Sequence, residues 1–318
     1  MSSFIKYFSI LFLVGCVCLF ASDKDGKKVN NYPELTAPIT VIEGVPGQWD
    51  ENKPHTMSIV EANMDGYKYW AYYGLAYYGN YEPSVRKAGL ARSNDLIHWE
   101  KYEGNPIIKG DCRWPTVVFT NSTFYMFYAE YNSDCDSRIV MVTSKDGKNF
   151  DNKEVIVPME KGKQNQNPFI FYNKQDKTFY LAYYNGIERD TVPGNNVWNI
   201  NILKSKDIKG LKNAKPKTLI SSPQTLAAPS IAYYNNKYYM LVEFFATDKW
   251  DGKWVTLGYE SDKPDGKYVE VNNNPPVLYD NDACAFQYVL DGELYITYSH
   301  CLDLPNWNWE LRMVKAKK

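Results

Sequence analysis

The stretch that decides the fold runs from Arg113 to Tyr131 and reads RWPTVVFTNSTFYMFYAEY. An apolar run, a turn at Asn121-Ser122 and an aromatic run together predict a β-hairpin, because branched and aromatic side chains suit a pleated strand and Asn tolerates the turn. The same unit recurs as QNPFIFYNKQDKTFYLAYYNG from Gln166, AAPSIAYYNNKYYMLVEFF from Ala227 and CAFQYVLDGELYITYSHC from Cys284. A looser copy, HTMSIVEANMDGYKYWAYYG, starts at His55. Each hairpin is followed by a third strand that ends near a serine and a polar turn: Ser93, Ser144, Ser205 and Ser261, with Ala316 in the last such place. A period of about 50–60 residues is the mark of a repeat architecture.

Fourth strands are expected in four units, PIIKG near Ile107, EVIVP near Ile156, KTLIS near Leu219 and PPVLY near Val277, while the fifth unit ends without one. An unpaired edge is a liability, and the extended segment PITVIEG, Pro38 to Gly44, precedes the first unit. The expectation is an all-β, five-bladed β-propeller with four-stranded blades, the last blade closed by an N-terminal strand. The blades run roughly over 52–109, 110–160, 161–221, 222–279 and 280–318 plus 38–44, within a single domain over 22–318. A β-sandwich is the alternative, but a sandwich does not require such a repeat.

The 318 residues include 27 Tyr, 14 Phe and 9 Trp, and Lys+Arg (36) nearly cancel Asp+Glu (37) for a net charge of -1. That balance lacks the basic footprint of a nucleic-acid binder, and the apolar content excludes a disordered chain. Residues 1–21 read as a secretory signal, since the apolar run from Tyr7 to Phe20 follows Lys6 and falls short of the about 20 residues a transmembrane helix needs. Leu13-Val14-Gly15-Cys16 resembles a bacterial lipobox, which would put a lipid on Cys16; cleavage after Ala21 competes with it. The chain is expected to be secreted or extracytoplasmic and monomeric, touching a membrane only through such an anchor. An oxidising compartment favours disulfides, and the hairpin ends suggest Cys112–Cys135 and Cys284–Cys301, with free buried thiols as the alternative. Only three histidines occur, His55, His98 and His300, at no ligand spacing, so no metal and no cofactor are expected.

GLARSNDLIHWEKYEGNPII (Gly89 to Ile108) resembles the third strand and turn of blade one in the five-bladed glycosidases of the arabinanase, levansucrase and invertase type, including glycoside hydrolase family 43. PSIAYYNNKYYM (Pro229 to Met240) is similar to their inner hairpins. The resemblance covers all five blades and implies a glycan as partner. It also implies carboxylates at the blade starts, since glycoside hydrolysis needs one group to protonate the leaving oxygen and another to activate water or attack the sugar. Those slots read differently here. Thr56 stands where the family 43 base is expected, Asn167-Pro168 matches the blade-three Asp-Pro, and Ala227-Ala228-Pro229 matches the blade-four Glu-Gly-Pro. In the invertase-like pattern, Arg113-Trp114-Pro115 and Gln166-Asn167-Pro168 fall on Arg-Asp-Pro and Glu-Cys-Pro.

What remains near the starts of the inner strands is His55, Arg113, Trp114, Gln166, Asn167 and Gln287, a set of stacking and hydrogen-bonding groups suited to neutral sugar hydroxyls. Capping or packing is the plain alternative for each. Substitute acids are sought at the ends of the second strands, which return to the same opening: Glu130, Glu243 and His300, with Asp111, Asp280 and Asp282 in the loops nearby. Glu243, Asp282 and His300 are the candidate catalytic groups. Asp95, His98 and Trp99 belong to an outer turn and are read as structural. Three functions stay open: a glycoside hydrolase with displaced acids, a noncatalytic glycan-binding propeller, and a scaffold that binds protein.

Overall fold

The computed structural model describes residues 31–51, 53–76, 86–132, 136–186, 197–245, 249–271, 276–303 and 306–318. Strand β1 (Ile39–Ile42) comes first. Blade one follows with β2 (Pro54–Met64), β3 (Tyr67–Leu75), β4 (Gly89–Ser93) and β5 (Glu100–Lys101), and blade two with β6 (Arg113–Thr120), β7 (Thr123–Tyr131), β8 (Ser137–Ser144) and β9 (Asp151–Val157). Blade three holds β10 (Gln164–Asn173), β11 (Thr178–Gly186), β12 (Trp198–Ser205) and β13 (Lys217–Ser222), and blade four β14 (Thr225–Tyr234), β15 (Lys237–Phe245), β16 (Val255–Ser261) and β17 (Val269–Glu270). Blade five is β18 (Asp282–Leu290), β19 (Glu293–Asp303) and β20 (Asn308–Lys315), and β1 completes it by pairing with β20, Ile39 opposite Met313 and Thr40 opposite Arg312. Five four-stranded antiparallel sheets thus make the five-bladed β-propeller expected, with the N-terminal strand closing the last blade.

The second strands are apolar almost throughout because each blade is covered on both faces. In β7, Phe124, Met126 and Tyr128 pack into the cluster shared with blade one, while Phe127 joins the cluster shared with blade three. In β15, Tyr238, Met240, Val242 and Phe244 meet blade three, and Tyr239 and Leu241 meet blade five. A sheet with one wet face would alternate apolar and polar residues; these strands do not. Buried hydroxyls stitch the inner strands together: Ser58 Oγ accepts from Val117 N, Thr116 Oγ1 from Ile170 N and Ser299 Oγ from Thr56 N, while Ser230 Oγ donates to the Ala285 carbonyl.

Two outer strands differ from expectation. In blades one and four the fourth strand is a two-residue piece, Glu100–Lys101 and Val269–Glu270, and the segments PIIKG and PPVLY touch the third strands only through single bridges, Ala88 with Ile108 and Thr256 with Leu278. EVIVP and KTLIS do lie in outer strands. The shaft end opposite the strand starts opens as a well of about 430 Å³, to which all five innermost strands contribute.

Each innermost strand is irregular in the same way. Register shifts fall between His55 and Met57, Arg113 and Thr116, Gln166 and Phe169, Ala227 and Ser230, and Ala283 and Phe286. At each shift one residue has left-handed backbone: Thr56 (φ 49°), Trp114 (53°), Asn167 (50°), Ala228 (44°) and Cys284 (51°). These are β-bulges, in which an extra residue bends the strand and re-aims a side chain. Proline follows in three blades, at Pro115, Pro168 and Pro229, where the interrupted ladder needs no donor.

Closure of the ring is directly testable. Ile42 is 3 % exposed and pairs with Leu311, whereas Ile39 is 40 % exposed. Ile42→Ala is expected to cost about 2–4 kcal/mol, a drop in Tm of roughly 5–10 °C by thermal melting. Ile39→Ala should stay within about 0.5 kcal/mol of the parent. Equal effects at the two positions would contradict a seam sealed from its inner side.

Candidate active site

Sequence-selected groups fall into two contact clusters at the strand-start end of the blades. Between blades two and three, Asp111 Oδ1 accepts from Arg113 Nε at 2.8 Å and Asp111 Oδ2 accepts from the Tyr131 amide at 2.9 Å. The Arg113 guanidinium lies 3.8 Å over the Tyr131 ring, and the Tyr131 hydroxyl donates to Gln166 Oε1. Gln166 Nε2 then donates to Gln164 Oε1 at 2.6 Å. Arg113 is buried, and its Nη2 has no hydrogen-bond partner among the described residues, a donor left over for a ligand or water.

Between blades four and five sit the candidate acids. Register pairs Glu243 across the strand with Ala227, and the Glu243 carboxyl reaches toward blade five. There Glu243 Oε2 accepts from the Cys284 amide at 3.0 Å and from its thiol at 3.2 Å. Burial raises the Glu243 pKa, and the two Cys284 donors partly offset that. Asp282 lies two residues earlier on β18, about 7 Å along the strand, and its Oδ1 is 2.8 Å from His300 Nδ1, with which it is paired in register. Burial raises the Asp282 pKa as well, against the pull of His300. Glu243 on β15 and the Asp282–His300 pair on β18 and β19 thus stand at the strand-start end of blades four and five, as two separate contacts.

Trp114 and Asn167 reach the same place from the other side. Asn167 Nδ2 is 3.8 Å from Cys284 Sγ, and Trp114 lies close enough to the Cys284 side chain to lower its pKa slightly against the effect of burial. Trp114 stays partly exposed, its ring 6.3 Å from that of Tyr131. Neither His55 nor Gln287 joins them. His55 is buried edge-on against Trp309 at 5.2 Å, and Gln287 spends its amide on Tyr32, Ser230 and Tyr239 within the interface of blades four and five. Glu130 is taken by Arg138 and Lys153, and Asp280 by Lys253. Asp95 caps its own turn and pairs with His98, as a structural turn would.

The cysteines need a correction. Cys284 and Cys301 are free thiols, as is Cys112; Cys135, and with it the expected Cys112–Cys135 pair, lies outside the described residues. With Asp282 opposite His300, Cys284 is displaced by three residues from the position facing Cys301, roughly 10 Å along the strand, beyond the reach of a disulfide. Cys284 takes instead the left-handed slot that Trp114, Asn167 and Ala228 occupy in other blades, one residue further along than an alignment on first residues suggests. Among the described residues no cluster of three or more His, Cys, Asp or Glu forms a metal site. The first 30 residues, with the signal and lipobox readings, lie outside the described residues.

Among solved structures, a thermostable family-43 glycoside hydrolase superposes with a TM-score of 0.64 at 19 % identity, covering 82 % of this chain and 88 % of that one. The fold is that of the five-bladed glycosidase propellers. An endo-arabinase from Bacteroides thetaiotaomicron matches with a TM-score of 0.62 at 18 % identity, over 88 % of this chain and 98 % of that one. The catalytic domain of a family 62 α-L-arabinofuranosidase from Coprinopsis cinerea matches at 0.64 and 11 % identity, over 90 % and 97 %. No protein-family model and no curated protein matches the sequence. Likeness at these identities carries the propeller architecture and no residue role.

Two measurements follow. Iodoacetamide added to the unreduced, denatured protein should alkylate both Cys284 and Cys301; protection of the two until reductant is added would restore the disulfide. Burial, then the nearby Arg86 charge, lowers the His55 pKa to about 3 from 6.5. The unfolded chain therefore binds this proton first, and stability should fall as pH drops from about 6.5 toward 3, by up to about 1.4 kcal/mol per pH unit. Glu243 and Asp282, with raised values, act oppositely: their contribution is fully present below their unfolded values and lost as pH rises through the folded ones. The difference in Tm between parent and His55→Gln, followed from pH 7 to 4, isolates the histidine; a difference that does not change with pH would refute its neutral burial.

Proposed function

We propose that this protein is an exported, glycoside hydrolase-like propeller that seats a neutral glycan at the strand-start end of its shaft and hydrolyses it with displaced acid and base groups. In this reading Glu243 is the general acid and the Asp282–His300 pair supplies the base, while Trp114, Arg113, Gln166 and Asn167 hold the sugar. The observation that carries it is Glu243 itself: a carboxyl 6 % exposed, with a raised pKa, one strand across from Ala227. An acid that must deliver a proton near neutral pH needs a raised pKa, and burial is one route to it. His300 can accept a proton through the ring nitrogen not engaged by Asp282, which orients the imidazole.

The leader from Tyr7 to Phe20 supports export, and the near-zero net charge supports a neutral partner. A second reading, a noncatalytic glycan-binding propeller, has its own support. Glu243 receives the amide of the left-handed residue of the next blade, as Ser299 receives that of Thr56, so its carboxyl also does the work of a cap. Thr56, Asn167 and Ala227 fill the slots that carry carboxylates in the resembling enzymes.

The two readings separate on a panel of aryl-glycosides and polysaccharides with product analysis. Glu243→Gln and Asp282→Asn should each lower turnover by about 10²–10⁴-fold, the usual contribution of a proton-transfer group, and leave glycan binding in place. Trp114→Ala should weaken binding by roughly 10-fold, the scale of one lost aromatic contact. Saturable binding with no turnover on any glycan would decide for the noncatalytic reading.

A further inference from the structure

Four blades meet at the Cys284 sulfur. Trp114 of blade two and Asn167 of blade three approach it, and Glu243 of blade four lies 3.2 Å away. The chemistry fixes the direction of each bond. An amide NH₂ only donates, and an ionised carboxylate only accepts, so the sulfur accepts from Asn167 of blade three and its single S–H points at Glu243 Oε2. Burial, the Glu243 charge and the bond to Glu243 all push the thiol pKa well up, so the proton stays on sulfur. The left-handed backbone of Cys284 turns its N–H onto the same oxygen at 3.0 Å. Both donors fall on Oε2, which leaves Oε1 as the oxygen that can give or take a proton.

We infer that Cys284 is a positioning residue for Glu243: its N–H and S–H hold the carboxyl in one orientation and stabilise its ionised form, with the sulfur held in turn by Asn167. This rests on Glu243 as the acid, but it is measurable without substrate. A thiol is a weak donor, and hydrogen bonding to the charged form lowers a carboxyl pKa. Removing the S–H should therefore raise the Glu243 midpoint.

The probe is difference infrared spectroscopy, in which the protonated carboxyl stretch absent from Glu243→Gln is followed against pH in the parent, Cys284→Ala and Cys284→Ser. Alanine keeps the backbone N–H, and Ala228 occupies the equivalent left-handed position in blade four. Cys284→Ala is expected to raise the midpoint by about half to one pH unit, the scale of one modest hydrogen bond; Cys284→Ser, whose hydroxyl still donates, should not raise it. An unchanged midpoint in Cys284→Ala, or an equal rise in both variants, would overturn the inference. Where turnover is found, its basic limb should move by the same amount in Cys284→Ala. If no glycan is turned over while the infrared shift appears, the assignment of Glu243 as acid fails and the positioning contact stands; turnover with no infrared shift sinks the contact alone. Thermal melting of both variants separates these results from loss of fold.

Discussion

The bulge at the start of every innermost strand is the constraint on which the rest depends. A left-handed residue other than glycine is costly, about 1–2 kcal/mol, and one is accepted near the start of each innermost strand, at Thr56, Trp114, Asn167, Ala228 and Cys284. The return is geometric. Without the extra residue, strict alternation would send each of these side chains into a blade face already filled by aromatics. With it, Trp114, Asn167 and Cys284 approach one another from three blades across the shaft. The same kink exposes a backbone amide, which must be satisfied because burial leaves it no water. Ser299 and Glu243 answer that need for Thr56 and Cys284. Strain, capping and site construction are therefore one event seen from three sides.

That event also relates the vacant carboxylate slots to the acids that remain. Ala227, which stands where the resembling enzymes carry the blade-four acid, faces Glu243 across the ladder. A carboxyl lost from the inner strand is thus close to one presented by the second strand, only turned toward blade five. Its environment is drier and more enclosed than an open shaft. The same enclosure raises Asp282, whose neighbour His300 supplies the partner that a buried carboxylate requires.

The architecture was legible because hairpins of aromatic and branched residues recur at a nearly constant interval, and interval is a property of sequence. Closure by Pro38 to Gly44 followed from counting strands. The contact of Asp282 with His300 was legible in outline, since His300 ends a second strand that returns to the start of the innermost one. Finer points depended on register. Cys284 and Cys301 bracket one hairpin, but the register from its two-residue turn already sets Cys284 two residues from the position facing Cys301, and the bulge makes the offset three. Proline marks the bulge in blades two, three and four and is missing in blades one and five, so the Cys284 slot carried no local signal. His55 and Gln287 stand near strand starts in the sequence but face neighbouring blades, and a strand position alone does not say which. Tyr131 went unremarked among many second-strand aromatics, though it joins Arg113 to Gln166.

The seam between β1 and β20 has a consequence for the order of assembly. Thr40 and Glu310, hydrogen-bonded at 3.2 Å, are 270 residues apart in the chain. Blades one to four can each form from local hairpins, with short loops to close, but the fifth cannot be completed until its final strand exists. Contacts of such long range are slow to form. During synthesis the inner edge of β20's place is empty and β1 has nothing to pair with, so the nascent ring is an open arc with two sticky ends. Its most vulnerable species is a nearly finished propeller, and the time it spends in that state is set by how quickly the last strand is delivered.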